Sequence, residues 1–184
     1  MAKLELFYPV RPYRVNQPWG VYDDLYKQFG FTQHNGIDIA LVNGQPIHAP
    51  FDCSVVRIGN QPQGGGIFVG LLSKNTYTFP DGITCFVLID LLHCQMIKVM
   101  DGQSVRVGDV VALGDNTGLS TGQHLHMQCR RVQMIGRDMV DVDRNGANNT
   151  FDQSKYWTGV YADTWVLLRL AQAQLAKLLA LFGR

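Results

Sequence analysis

Short runs of hydrophobic residues, many of them alternating with polar ones, occur along the middle of the chain. They are rich in β-branched side chains, so they predict strands of an antiparallel sheet. Glycine- and proline-rich runs at 61–66 and 80–82 separate some of them and predict hairpin turns. The pattern therefore predicts a mainly β fold. The predicted strands lie at 37–41, 53–58, 67–72, 84–92, 110–113 and 123–131.

The two ends of the chain follow other patterns. Prolines exclude a helix from the first residues, and one short helical turn is predicted within 23–29. Residues 163–182 have helical periodicity, with leucines on one side of the wheel and Arg169, Lys177 and several alanines on the other. This periodicity predicts a C-terminal amphipathic α-helix. Its apolar face contains Leu167, Leu168, Leu170, Leu175, Leu178, Leu179, Leu181 and Phe182.

The length of 184 residues suits one domain with a short appendage. We therefore expect a β-domain at 1–160 and a C-terminal helix at 161–184. Polar residues interrupt this helix too often for a transmembrane span. Three roles remain open for it: packing onto the β-domain, self-association, or attachment to a membrane surface through its apolar face and basic residues.

Charge and cysteine spacing narrow the range of functions. The formal net charge is +1 and no basic run is present, so no nucleic-acid partner is expected. Cys53, Cys85, Cys94 and Cys129 have no Cys-x-x-Cys spacing and are predicted to be small buried residues in strands. Cys94 adjoins His93 but should face away from it, because neighbours on a strand point to opposite faces.

Candidate chemistry is concentrated at five positions in three segments: His34 with Asp38, then His93, then His124 with His126. Two imidazoles and a carboxylate form a known kind of catalytic zinc site, in which one coordination position stays open. Two further imidazoles would then be available for proton transfer or oxyanion stabilisation. Spacings of two and four place each pair on one side of an extended strand, so the pairs can converge.

The surroundings of these residues carry a specific pattern. Residues 34–40 read His-x-Gly-x-Asp-Ile-Ala, and Gly-x-Pro-Ile-x-Ala-Pro follows at 44–50. A glycine-punctuated segment at 105–114 leads into Gly-x-Ser-Thr-Gly-x-His-Leu-His at 118–126. Over residues 16–157 the chain resembles the lysostaphin- and LytM-type zinc endopeptidases of the M23 family.

The resemblance implies a twisted antiparallel sheet of the duplicated hybrid motif type, with the site in a loop-walled groove. It also implies that His34, Asp38 and His126 bind Zn²⁺ and that His93 and His124 form a catalytic pair. In that scheme His93 accepts a proton from the attacking water. His124 positions the water or stabilises the oxyanion.

The function implied by the resemblance is a zinc-dependent endopeptidase that hydrolyses peptide cross-links of bacterial cell-wall peptidoglycan, for cell lysis or wall penetration. Two alternatives stay open: a non-catalytic peptidoglycan-binding or amidase-activating relative, and a structural component of a virion. Missing ligands would favour the non-catalytic relative, and here all five positions are filled.

Departures from the family pattern lie beside the ligands. Leu91 stands where an aromatic residue is usual, Gln123 replaces proline, and Met127 with Gln128 replaces Phe-Glu. They bear on the fit of the substrate more than on metal binding. Glycine-rich bridges and direct D-alanyl–diaminopimelate links therefore both stay open as substrates.

The N-terminus does not predict a secretory signal peptide, since Glu5 and Pro9 interrupt any apolar core. Action at the cell wall or in the periplasm would then need another route. We expect delivery during phage lysis or as a virion component, and a mature chain whose signal has already been removed would also explain the pattern.

A second candidate metal site spans 141–152, where the spacing of oxygen-bearing residues and a glycine follows that of a calcium loop. The alternative is a solvated polar connection, since no predicted helices flank the segment. The predicted Ca²⁺ ligands are Asp141, Asp143, Asn145 and Asp152.

Overall fold

The computed structural model describes residues 3–27, 30–144 and 149–182. Strands dominate these residues, with one long helix at the C-terminal end. The elements are β1 (Leu6–Tyr8), β2 (Val15–Gln17), α1 (Asp24–Lys27), β3 (Ile37–Ala40), β4 (Pro46–His48), β5 (Cys53–Gln61), β6 (Gly66–Ser73), β7 (Tyr77–Thr78), β8 (Thr84–Ile97), β9 (Ser104–Val105), β10 (Val110–Gly114), β11 (His124–Ile135), β12 (Asp138–Asp141), a 3-10 helix (Gln153–Tyr156), β13 (Trp157–Tyr161) and α2 (Ala162–Phe182).

The main sheet has the strand order β2-β3-β11-β8-β6-β5-β9, and each neighbouring pair in it is antiparallel. The long strands β8 and β11 lie at its centre, while β1 and β13 form a separate parallel pair. The mainly β, antiparallel prediction is confirmed, and each predicted strand is present. The short helical turn expected within 23–29 is α1, although residues 28 and 29 lie outside the described residues.

The hydrophobic core lies on one face of this sheet. Strands β5, β6, β8 and β11 contribute Val55, Leu71, Ile89 and Leu125, all fully buried. The four cysteines are buried in the same core and unpaired, so their prediction as small buried residues is confirmed. Burial raises the pKa of the Cys94 thiol to about 12, which does not suit a nucleophile.

The opposite face of the sheet is polar. Directly opposed residues on antiparallel strands point to the same side, so Asp38 on β3, His126 on β11 and Leu92 on β8 share one face. His124 and Gln128 share it too, because alternate residues of β11 point the same way. We call this surface the polar face. It brings together the predicted site residues of β3 and β11.

Helix α2 follows directly after β13 and is attached to the sheet domain near its first turn. Ala162 is fully buried, and the rings of Trp165 and Phe7 lie with their centroids 4.9 Å apart. This contact fixes the start of the helix.

The apolar face of α2 is exposed beyond that attachment. The predicted helix is confirmed, but its leucines between positions 167 and 181 are 46–73% exposed. The expectation that this face packs onto the β-domain is therefore wrong. Among the described residues, no helix has the length and hydropathy needed to cross a membrane.

Candidate active site

Three predicted site residues bring one ligand atom each to a common point. Nδ1 of His126 lies 2.9 Å from Oδ1 of Asp38 and 3.1 Å from Nε2 of His34. The distance from Nε2 of His34 to Oδ1 of Asp38 is 3.2 Å. In the described parts of the chain, this is the one group of three such side chains whose ligand atoms lie within 4.8 Å of one another.

Strand pairing and one glycine create this convergence. β3 and β11 pair so that Asp38 lies opposite His126, and His34 precedes β3 on the connection from α1. Gly36 lies against the ring of His126: a Cβ at this position would be 2.5 Å from Nε2 of that histidine. The glycine of the His-x-Gly-x-Asp pattern is therefore required by packing.

The tautomer of His34 follows from its hydrogen bond. Its Nδ1 lies 2.9 Å from the carbonyl oxygen of Pro18, which can only accept, so Nδ1 carries the proton. The lone pair of a neutral ring is then on Nε2, which points to Asp38 and His126. A backbone carbonyl in this role is the usual outer partner of a metal-binding histidine.

The surroundings favour a charged carboxylate at Asp38 and a neutral imidazole at His126. Burial acts to raise the pKa of Asp38, but the adjacent His126 and His34 rings outweigh it and lower that pKa well below its ordinary value. Burial lowers the pKa of His126. An ionised carboxylate and neutral imidazoles are the protonation states that metal binding requires.

The geometry of this group fits a zinc ion. Ligand atoms about 2.0–2.1 Å from a tetrahedral zinc lie roughly 3.3 Å apart. The three observed distances of 2.9, 3.1 and 3.2 Å are only slightly shorter. The donor set of two nitrogens and one carboxylate oxygen is also one that zinc accepts at catalytic sites.

The two remaining predicted residues lie beside this group. The rings of His93 and His124 are 4.8 Å apart between centroids, and those of His93 and His126 are 6.1 Å apart. Nε2 of His124 lies 3.5 Å from Oδ1 of Asp38. The structure thus brings all five predicted site residues together.

His93 and His124 are oriented in the same way. Nδ1 of His93 donates to the carbonyl of Thr117 at 2.8 Å, and Nδ1 of His124 donates to the carbonyl of Gly122 at 2.7 Å. Each neutral ring therefore keeps its lone pair on Nε2. Burial lowers the pKa of His93 to about 4, so this ring is neutral at pH 7 and can accept a proton.

Two turns that hold His93 were not anticipated as functional. The 61–66 run is the hairpin turn predicted between β5 and β6, and its Gly65 carbonyl accepts from the backbone N–H of His93 at 2.8 Å. Gly66 has a φ of 62°, and a Cβ there would lie 2.3 Å from the carbonyl oxygen of Thr117. The turn at 61–66 and the loop that contains Thr117 approach so closely that only glycine fits at position 66. This requirement comes from a tertiary contact, so the sequence alone does not show it.

The proposed calcium ligands have other partners. Asp143 pairs with Arg131, and Asp141 accepts from Asn149 at 3.0 Å. Asp152 caps the 3-10 helix by accepting from Ser154, and Asn145 lies outside the described residues. The described carboxylates do not form a metal-binding group, and calcium binding stays a prediction.

The fold and the site together describe an antiparallel β-protein with a His, Asp, His group that could hold a metal ion, a donor set that zinc accepts. The chain belongs to Peptidase family M23, which it matches over residues 32–142, more than half of its length.

Individual relatives agree with this assignment. Peptidoglycan DD-endopeptidase ShyA of Vibrio cholerae is 36% identical over 95 residues, which are 52% of this chain and 20% of that protein. The chain spans about a fifth of the length of the curated relatives it matches.

Solved structures show the same fold. The catalytic domain of lysostaphin from Staphylococcus simulans is 23% identical with a TM-score of 0.57, covering 78% of this chain and 91% of that domain. The structure of LytU is 28% identical with a TM-score of 0.57, covering 85% of this chain and 90% of that one. These likenesses bear out the M23-type sheet expected from the sequence.

Proposed function

We propose that the protein is a zinc-dependent endopeptidase that hydrolyses peptide cross-links of bacterial cell-wall peptidoglycan. The observation that carries this proposal is the convergence of His34, Asp38 and His126 within 3.2 Å, with two oriented imidazoles beside them. The names of two relatives, a peptidoglycan DD-endopeptidase and a glycyl-glycine endopeptidase, support the substrate class.

Each of the five residues receives a role in this proposal. His34, Asp38 and His126 would hold zinc, which when bound supplies Lewis acidity toward a peptide carbonyl and toward water. His93 accepts the proton of the attacking water at Nε2, because its Nδ1 is committed to the Thr117 carbonyl. His124 positions the same water through Nε2 or, once protonated, donates to the developing oxyanion.

Chelation tests the proposal against its two alternatives. The purified chain is applied to peptidoglycan in a zymogram, with and without a chelator, and zinc is added back. An endopeptidase clears the wall material, stops on chelation and recovers with zinc. A non-catalytic relative would bind the wall without clearing it, and a structural virion component would do neither.

Released fragments identify the bond. Mass spectrometry of peptides liberated from two wall types shows whether new amine and carboxyl ends arise within the cross-link. Release of sugar fragments alone would contradict an endopeptidase.

The proposed place of action is the bacterial cell wall or periplasm, with delivery by phage lysis or within a virion. The proposed organisation is a peptidase domain at 1–160 followed by the helix at 161–184.

Calcium binding at 141–152 is a further proposal, tested by isothermal titration of Ca²⁺ into the unaltered chain and into an Asp141→Ala, Asp143→Ala variant. Equal heats from both proteins would remove it.

The exposed leucines of α2 support a role for the helix in association. Contiguous apolar surface of this kind usually contacts a partner or a membrane. We propose that it either joins two copies of the chain or lies on a membrane surface.

Deletion of residues 163–184 tests this role. If the helix joins two copies, we expect the deletion to reduce the mass measured by light scattering. If the helix binds lipid, we expect the deletion to reduce the amount of protein that co-sediments with vesicles. Replacing Leu175, Leu178 and Leu179 by glutamine should reproduce either loss. The matched pair Arg169→Gln, Lys177→Gln should weaken only binding to anionic vesicles. No change in mass or in vesicle binding on deletion would contradict the proposal.

A further inference from the structure

A pocket of about 190 Å³ adjoins the site on the polar face. Gln128 lies two residues after His126 on β11, and Leu92 lies directly opposite His126 on β8. Both line the pocket, so it continues the site along the sheet. The full lining is Arg57, Gln61, Phe68, Asp90, Leu92, Gln128 and Arg130.

The floor of the pocket is a buried carboxylate. Asp90 is only 2% exposed and accepts from Nε of Arg57 at 2.8 Å and also from Nη2 of that residue. Its Oδ2 also accepts from Nε2 of Gln128 at 3.0 Å and from Nη2 of Arg130 at 3.4 Å. Asp90 therefore accepts four hydrogen bonds, one at Oδ1 and three at Oδ2, and acts as an anchor for the arginines.

A glycine makes room for this arrangement. Gly70 lies in the interior of β6, where a glycine weakens a strand. A Cβ at this position would be 2.4 Å from Cγ of Arg57 and 2.9 Å from Oδ1 of Asp90. Glycine at position 70 therefore lowers the stability of the strand but leaves room for the Arg57–Asp90 ion pair.

Hydrogen-bond donors are in excess in the pocket. Nε of Arg130 is buried without a partner among the described residues. Nη1 of Arg130 reaches Asp141, but only at 3.5 Å. Arg57 uses Nε and Nη2 on Asp90, which leaves Nη1 without a described partner. Asp90 already accepts four hydrogen bonds, so a further acceptor in the pocket would satisfy the remaining N–H groups.

The rest of the lining is apolar or already engaged. Phe68 and Leu92 supply apolar surface, and Oε1 of Gln128 accepts from Nδ2 of Asn35 at 3.0 Å. A ligand that suits this lining has an aliphatic part and a carboxylate. Arginine is the side chain that best matches the planar, two-oxygen geometry of a carboxylate.

We infer that this pocket is a subsite for a free carboxylate of the peptide substrate, bound by Arg57 and Arg130 over the Asp90 anchor. The inference rests on the proposed function, because the ligand is part of the cleaved peptide. It selects cross-links that carry a carboxylate beside the scissile bond over uncharged glycine bridges.

Matched substrates test the subsite in the unaltered holoenzyme. Two soluble cross-linked peptides are compared, identical except that the carboxylate beside the scissile bond is free in one and amidated in the other. We expect kcat/KM for the free form to be higher by about 10- to 100-fold, the range of a charged hydrogen bond. Equal values would overturn the subsite while leaving the endopeptidase proposal intact. Cleavage of neither peptide, with no clearing of wall material, would count against the endopeptidase itself.

Variants locate the preference. Arg57→Gln should raise KM for the free form and leave the amidated form unchanged, whereas Arg137→Gln, an exposed arginine on the β11–β12 turn, should change neither. Because Arg57→Gln removes the main partner of a buried carboxylate, the double variant Arg57→Gln, Asp90→Asn provides a folded alternative without that ion pair. A double variant that keeps the full preference would contradict the assignment to Arg57.

Discussion

His93 is the residue with the most unusual backbone in the site. Its φ is 60°, in the left-handed region that residues other than glycine rarely occupy. Leu92 and His93 together lie opposite the single residue Phe68 of β6, which makes a β-bulge. The bulge turns the His93 side chain toward the site while the next residue, Cys94, stays in the core. Simple alternation along a strand predicted that His93 and Cys94 point in opposite directions. It did not predict the bulge that produces this arrangement.

Replacement of His93 tests its role as a base. Asparagine accepts the left-handed conformation more readily than most residues, so His93→Asn keeps the bulge and removes the imidazole. We expect kcat to fall by more than ~100-fold, the lower end for loss of a general base. The zinc content measured by atomic absorption should stay at the unaltered level. Near-normal turnover would remove His93 from the mechanism.

The close contact at Gly36 gives a second prediction at this scale. In Gly36→Ala the new Cβ meets the His126 ring and the Met127 carbonyl, at 2.5 and 2.7 Å before any adjustment. The ring must move, so we expect zinc affinity to fall by about 10-fold or more, as when a ligand loses its orientation. Gly122→Ala is the matched control, because no atom lies within 4 Å of its Cβ. Equal zinc affinity in both variants would contradict the packing argument.

At the scale of elements, the site depends on a loop that ties strands together. Thr117 lies between β10 and β11, and its Oγ1 donates to the Cys94 carbonyl at 2.7 Å and accepts from the Ile67 N–H at 3.0 Å. Its own carbonyl orients His93. One residue therefore joins β6, β8 and the loop before β11, and keeps the His93 imidazole in place.

Thr117→Val removes both side-chain hydrogen bonds at nearly constant volume. The Ile67 N–H and the Cys94 carbonyl would lose a partner, so the free energy of unfolding should fall by about 1–3 kcal/mol. Urea unfolding measures the loss, with exposed Thr121→Val as the control that should change little. Equal midpoints for the two variants would show that this bridge contributes nothing to stability.

At the scale of the whole molecule, the sheet separates an apolar core on one face from a polar surface on the other. One face packs the core, including the four cysteines, and the other carries the histidines and the arginine pocket. Burial raises the pKa of Cys53 to about 12 and that of Cys85 to about 11, and it raises that of Cys129 well above the ordinary value. The thiols therefore form thiolate only with difficulty in the folded protein.

Thiol labelling tests this burial. At pH 8 we expect the native protein to react with Ellman's reagent at none of its thiols within minutes, and the unfolded protein to react at all four. Absorbance of the released product counts the thiols in each state. Rapid reaction of the native protein at one or more thiols would show that the core opens or that a cysteine is accessible.

The sequence by itself determined the type of fold and the candidate site residues. Alternating hydrophobic runs located the strands, because alternation depends only on neighbours in the chain. The five candidate positions in three segments stood out for the same reason, since donor type and local spacing are written directly in the sequence. The resemblance to the M23 family then implied that His34, Asp38 and His126 are the metal-binding three. The apolar face of α2 was equally visible, but local periodicity does not say what covers it, and the structure leaves it exposed.

Only the tertiary structure decided how those side chains are oriented and which ring nitrogen of His34 carries the proton. The carbonyl that fixes the His34 tautomer belongs to Pro18, 16 positions away, and the one that orients His93 belongs to Thr117, 24 positions away. The Arg57–Asp90 pair joins residues 33 positions apart across a glycine on a third strand. Such partners depend on strand order and register, which arise from packing of the whole sheet and leave no local signature in the sequence.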